Sequence, residues 1–349
     1  MPSATTQAAN LPIFDFSRFR KGDRKERREE SEKIVQAFKT YGFIYIINYG
    51  ISQEKIKDLF YWSAKFHELP EDVKSRPELL RPEPVPGSAG YIARGYSPVG
   101  REKIVQDTYD DDSVKGLRQV QDAKELYDMG PETGVPAIRE PNRWPSEDVL
   151  PGFKSFFETF YVEGNELSLE IQRCLALGLD LDEQFFTHFH EDADNLLRLI
   201  HYPAIERKAI RNGEKARIPP HTDYGTLTML FQDNVGGLEV ADPKSPDKYI
   251  PATPIEGAAI VNIGDFLQRW TNDILKSNFH HVVEPPAERG LPHGHELAKE
   301  RYSIPYFVQA DRNKTIECIT SLEKNGEPKY PPITAQEYLN MRTLASYKL

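Results

Sequence analysis

From Asn195 onward the apolar positions recur with a period of two. The segments "LLRLIHYP", "TLTMLFQD", "GGLEVAD", "AAIVNIGD", "NFHHVVEPP" and "RYSIPYFVQ" read as strands joined by Gly, Pro, Asn and Asp turns. Many short strands in series predict a sandwich or barrel such as a jelly roll. Upstream the period lengthens to that of a helix. Glu26 to Tyr41 places Ile34, Ala37, Phe38 and Tyr41 on one side and is stopped by Gly42. "LPIFDFSRF" predicts a short strand and turn, "FIYIINYG" a strand, and Ser52 to His67 a second helix. Phe153 to Leu177 carries Phe153, Phe156, Phe157, Phe160, Gly164, Leu167, Ile171 and Leu175 at helical spacing, with Gly178 as its stop. A last helix starts near Thr334 and Glu337, which have capping-box spacing. Between Pro70 and about Trp144, prolines and glycines interrupt both periods. The fold class is therefore α+β, with an N-terminal mixed region, a β core and flanking helices.

Composition narrows the chemistry. With 349 residues, 39% hydrophobic and 28% charged, the chain can bury a sizeable core. A formal net charge of −10 argues against a nucleic-acid partner, which would need a basic face. Two cysteines, Cys174 and Cys318, make neither a disulfide framework nor a zinc-site spacing. "MPSATTQAANLP" lacks the basic and apolar segments of a secretory signal, and no apolar run reaches membrane-spanning length, so a cytoplasmic location is expected. Residues 1–10 are expected to form a flexible tail. No obligate protein partner is evident.

The stretch "HTDYGTLTML" from His221 sets an imidazole and a carboxylate two residues apart at the mouth of an apolar strand. Strand residues i and i+2 face the same way, so His221 and Asp223 are expected to point to one side. Two histidines and one carboxylate on one face of an octahedral ion leave three positions open, the arrangement of non-haem Fe(II) oxygenases. His280 and His281 in "KSNFHHVV" are the candidates for the third ligand. Neighbouring strand residues face opposite ways, so at most one reaches the metal; alternation alone does not choose. "RYSIPYF" puts Arg301 and Ser303 on one strand face, where a guanidinium fork and a hydroxyl suit a carboxylate.

"HTDYGTLTML", "VNIGDFLQRWTN", "KSNFHHVV" and "RYSIPYF" together resemble the core of the isopenicillin N synthase-like 2-oxoglutarate/Fe(II) dioxygenases. "LPIFDFSRF…YGFIYIINYGI" and "NRWP…LPGFKSFF" resemble that family's N-terminal region, so the likeness runs from about residue 11 to 345. It implies a double-stranded β-helix (jelly roll) core. It divides the chain into an N-terminal region over 11–150, a helix plus jelly-roll core over 151–312, and a C-terminal segment over 313–349. It assigns His280 as the distal ligand and leaves His281 where the family usually has arginine. Arg301, Ser303 and Tyr202 resemble the family's anchor for the distal carboxylate of 2-oxoglutarate. The implied reactants are Fe(II), 2-oxoglutarate and O2, with ascorbate as reductant and succinate and CO2 as products.

Substrate contacts follow less directly. Arg198 shares strand parity with Ile200 and Tyr202, so it faces the interior if Tyr202 does. It is then either ion-paired or a substrate anchor. Tyr224 and Phe307 are expected on the pocket wall by their closeness to Asp223 and Ser303. Arg94 and Tyr96 in "ARGYSPVGREK" resemble a family segment near the entrance. The expected reaction is oxidation, by hydroxylation, of a C–H bond of a small polar molecule such as a cyclic amino acid, nucleobase or secondary metabolite. Its rivals are an oxidase of the same fold that uses no 2-oxoglutarate, a zinc hydrolase and a non-catalytic binding module.

Overall fold

Strand alternation is expressed as two apolar layers on the two faces of one sheet. A computed structural model describes residues 11–82, 94–101, 121–132, 141–286, 296–322 and 326–347. The expected tail over 1–10 lies outside them. Strands of three or more residues are β1 (Ile13–Asp15), β2 (Phe43–Ile47), β3 (Gly95–Ser97), β4 (Glu125–Met129), β5 (Leu196–Tyr202), β6 (Ile218–His221), β7 (Leu227–Gln232), β8 (Leu238–Asp242), β9 (Ser245–Pro251), β10 (Ala259–Ile263), β11 (His280–Val282) and β12 (Arg301–Val308). Eight of them form one sheet in the order β1-β2-β10-β7-β12-β5-β4-β3, and four form a second in the order β9-β8-β11-β6. The five helices used below are α1 (Arg24–Tyr41), α2 (Gln53–His67), α3 (Phe153–Gly178), α4 (Asp265–Trp270) and α5 (Ala335–Tyr347).

The inner face of the large sheet packs on the small one. Phe43, Tyr45, Ile200, Tyr202 and Ile260 meet Ile218, Leu238, Val240 and Val282 in one buried cluster. The outer face contributes Ile44, Leu197, Leu199, Leu227, Met229, Val261, Ile304 and Tyr306 to a second cluster with the helices. There the Phe153, Phe157 and Phe160 stripe of α3 is fully buried. Each such phenylalanine contributes about 1.5–3 kcal/mol by leaving water. This two-sheet arrangement with helices on one outer face is the expected α+β jelly roll.

Local signals set the element ends. Asp23 caps α1 through a reciprocal pair with Glu26, and Gly42 ends it at φ 70°. Ser52 accepts from the Lys55 N–H at the start of α2. Thr334 and Glu337 cap each other at the start of α5. Two expectations shift. Gly178 lies inside α3, and the left-handed residue after that helix is Asp180 at φ 61°. The irregular stretch after Pro70 supplies β3 and β4 to the large sheet. Its strand "ELYDM" was illegible as such because Glu125 and Asp128 are buried charges; their partners, Lys74 and Arg198, come from other elements.

Candidate metal and cosubstrate site

His221 ends β6, and His280 begins β11 directly opposite it in the ladder. Their rings stand 4.1 Å apart between centroids. Asp223 follows in the loop between β6 and β7, so strand alternation is not what aims it. The loop is held from outside. Asp265 N–H, the first of α4, donates to the Asp223 carbonyl at 2.8 Å, Gly264 N–H to Thr226 at 3.0 Å, and Thr226 N–H to Val308 at 2.8 Å. A Cβ on Gly264 would lie 2.1 Å from the Gly225 carbonyl oxygen, so only glycine permits this approach. Buried His190 supports the loop further: it donates to the Phe186 carbonyl at 2.8 Å and accepts from the Thr226 hydroxyl at 2.9 Å.

Each ligand candidate is oriented by a bond at its far side. His221 Nδ1 donates to the Pro219 carbonyl at 2.9 Å and His280 Nδ1 faces the Asn278 carbonyl at 3.3 Å, leaving both Nε2 atoms toward Asp223. Asp223 Oδ1 lies 4.0 Å from His221 Nε2 and 3.7 Å from His280 Nε2. Asp223 Oδ2 is turned away and accepts from Thr228 and Asn262. Burial and the adjacent His280 push His221 well below the usual imidazole range, so it is neutral, the form that binds metal. Burial opposes ionisation of Asp223, yet the hydrogen bonds from Asn262 and Thr228 help hold its carboxyl below the usual range. Among the described residues these three form a cluster whose candidate ligand atoms all lie within 4.8 Å of one another. Such a mixed imidazole and carboxylate set, confined to one side, suits Fe(II).

The neighbour His281 is on the other face, where its ring stacks on Tyr249 at 3.9 Å and bonds Glu239 at 2.9 Å. The structure thereby separates the two adjacent histidines that alternation left equivalent.

Arg301 is opposite Tyr202 in the ladder between β12 and β5, and Ser303 is opposite Ile200. All three polar residues are buried, Arg301 completely. The guanidinium bonds Gln232 at 3.3 Å through one Nη and lies 5.1 Å from the Tyr202 ring centre. Its Nε and other Nη are buried without a hydrogen-bond partner. A buried cation with orphaned donors calls for an anion, and the carboxylate of a keto acid fits. Burial pushes the Tyr202 hydroxyl up to about 12, so it remains a neutral donor.

The substrate expectations meet a mixed outcome. Phe307 is on the inner face opposite Thr228, the residue that holds Asp223. Arg198 shares that face, 5.9 Å from the Phe307 ring centre, but its Nε and Nη2 grip Asp128 at 2.7 and 2.8 Å. Arg198 is thus ion-paired on the inner face. Tyr224 lies 4.6 Å beneath Arg342 of α5, which also pairs with Asp265 at 2.8 Å. Arg94 and Tyr96, expected as substrate contacts, have protein partners in the structure. Tyr96 belongs to the outer cluster, and its hydroxyl bonds Glu125 at 2.5 Å. Arg94 is buried 3.9 Å from Asp194 and packs against Gly130. Tyr96 is on the far side of the sheet because β3 pairs β4 with Tyr96 beside outward-facing Tyr127. Sequence reading also missed Thr228, Asn262 and Gln232 as supports. The signal available was strand parity, which puts Thr228 and Gln232 on one face.

Comparison with known proteins agrees with this geometry. Residues 11–147 match the family described as non-haem dioxygenase in morphine synthesis N-terminal, and residues 193–310 match the 2OG-Fe(II) oxygenase superfamily. The chain is 36% identical over 346 residues to the 2-oxoglutarate-Fe(II) type oxidoreductase ppzD of Metarhizium rileyi, covering 99% of this chain and 93% of that protein. It is 38% identical over 319 residues to the proline hydroxylase buaE of Petromyces alliaceus, covering 90% and 93%. A full-length Neurospora crassa protein, crystallised in complex with alpha-KG and thymine, superposes with a TM-score of 0.83, at 38% identity and 99% coverage of both chains. No helix among the described residues is long and apolar enough to cross a membrane. The chain therefore belongs to the 2OG-Fe(II) oxygenase superfamily and is a 2-oxoglutarate-dependent dioxygenase.

Proposed function

We propose that this protein hydroxylates a C–H bond of a small, polar, ring-containing molecule, with Fe(II) held by His221, Asp223 and His280 and 2-oxoglutarate anchored by Arg301, Ser303 and Tyr202. The observation that carries the reading is the pairing of the clustered ligand atoms with the orphaned donors of Arg301 inside one barrel. When bound, the iron and the keto acid supply oxidation by dioxygen coupled to release of succinate and CO2, with ascorbate as reductant.

The protein's own residues position and shield. Thr228 and Asn262 keep Asp223 turned toward the imidazoles. The Tyr202 ring and the cluster of Ile200, Ile218 and Val240 exclude water from the anchor. Phe307 and the Arg198–Asp128 pair offer the substrate an aromatic surface edged by polar groups. Such a wall suits a flat or cyclic polar molecule, and two relatives point the same way. One is named a proline hydroxylase, and the other is seen with thymine.

The test is succinate release by the iron-loaded enzyme against a panel of cyclic amino acids and nucleobases, with product identified by mass. Substrate-dependent succinate and a product heavier by one oxygen are expected. Oxygen uptake without succinate would instead favour an oxidase.

A further inference from the structure

The cosubstrate end of the barrel holds one more cation than the proposal above uses. Arg217 immediately precedes β6 and is 1% exposed. Its Cζ stands 5.6 Å from the centre of the same Tyr202 ring that Arg301 approaches at 5.1 Å. One Nη of Arg217 donates to the Lys299 carbonyl; its Nε and other Nη have no hydrogen-bond partner. Arg301 shows the same pattern. Among the described residues no carboxylate lies within ion-pair distance of either group; Asp233 acts on Arg217 only from further off. Burial, with Arg301 nearby, pushes the Arg217 guanidinium down to about 10, still charged at neutral pH.

Two like charges buried around one ring are strongly unfavourable without an anion. A chain that keeps both, with two orphaned nitrogens on each, is built for something that brings negative charge. Arg217 stands immediately before the strand that ends in His221, so one short strand joins the cation to the candidate metal ligand.

We propose that Arg217 joins Arg301 in a two-guanidinium clamp for the distal carboxylate of 2-oxoglutarate, and that Arg217 thereby sets the preference for a dicarboxylic over a monocarboxylic 2-oxo acid. This rests on the cosubstrate site proposed above. A second fork raises the local positive charge and supplies donors that a monocarboxylic acid leaves unmatched.

The experiment compares wild type with Arg217→Gln and Arg217→Lys. Anaerobic titration of the Fe(II)-loaded protein, followed by the charge-transfer absorption of a chelated keto acid, measures affinity for 2-oxoglutarate and for 2-oxobutyrate. Melting of the metal-free protein measures the structural contribution. Arg217→Gln is expected to lose at least tenfold in its preference for 2-oxoglutarate, with a melting temperature equal to or above that of wild type, because an uncompensated buried charge has gone. Arg217→Lys is expected to fall between. A smaller loss of preference overturns the clamp. So does a lowered melting temperature, or failure to fold, in both variants, since Arg217 would then be a structural cation. Wild type that does not bind 2-oxoglutarate would remove the cosubstrate site itself, an outcome separate from equal binding by wild type and variant.

Discussion

Asn262 donates to Oδ2 of Asp223 at 2.8 Å, which turns Oδ1 of the carboxylate toward the two imidazoles. Asn262 sits on β10 and Thr228, the second donor, on β7, so two adjacent strands fix one carboxylate. Asn262→Ala is expected to weaken Fe(II) or Mn(II) binding about 10–100-fold, the range for losing such an orienting partner. Calorimetric titration with Mn(II) reads this directly. Unchanged affinity would mean that Thr228 alone suffices.

The adjacent histidines of β11 should behave oppositely. His280→Ala is expected to abolish metal binding. His281→Ala loses only the Tyr249 stack and the Glu239 bond, about 1 kcal/mol of stability, and keeps its metal. Metal content after dialysis against ferrous salt under nitrogen distinguishes them, and loss of iron from His281→Ala would put the assignment on the wrong neighbour.

Asp128 is 1% exposed and is shared by Arg198 and Arg81. Asp128→Asn removes the charge that compensates them. A destabilisation of about 3–5 kcal/mol is expected from a buried pair broken on one side. The urea midpoint at pH 7 is the measurement; a shift within error would show that the pair is solvated.

Acid should destabilise the fold before the carboxylates titrate. Burial holds His67 and His190 down to about 3 and about 4, against 6.5 for a free imidazole. Below pH 6.5 the unfolded chain takes up protons that the folded chain does not, so stability is full above that pH and falls as pH drops toward 4. Each group contributes up to about 1.4 kcal/mol per pH unit in that window. Urea midpoints between pH 7.5 and 5 should decline, and His190→Gln should decline less steeply. A flat profile would show that these rings are wetter than the packing implies.

Arg342 ties α5 to Asp265 and covers Tyr224. Since the arginine is partly exposed, Arg342→Ala should cost less than about 1 kcal/mol overall. Amide exchange over residues 335–347 should nevertheless quicken, because this contact holds the helix against the loop that carries Asp223. Unaltered exchange would make the contact incidental.

Much of this protein was legible along the chain. Period-two and helical apolar spacing marked both the core strands and α1, α2 and α3, because each element must bury one face and its own repeat records which residues do so. The same parity put Arg301 with Ser303 and Arg198 with Tyr202. Parity says nothing, however, about which face is inside or which distant strand lies alongside. Those depended on register between segments far apart. The ladder of β6 with β11 set His280 beside His221 and turned His281 outward; the approach of α4 at Gly264 aimed Asp223 from a loop; the pairing of β3 with β4 sent Tyr96 to the far side; and β4 brought Asp128 to Arg198. Arg217, an unremarkable residue in "KARIPPH", became a buried cation only when β6 carried it to the ring of Tyr202. Local repeats are written in neighbouring residues, whereas the partners of a buried charge are chosen by packing across the whole barrel.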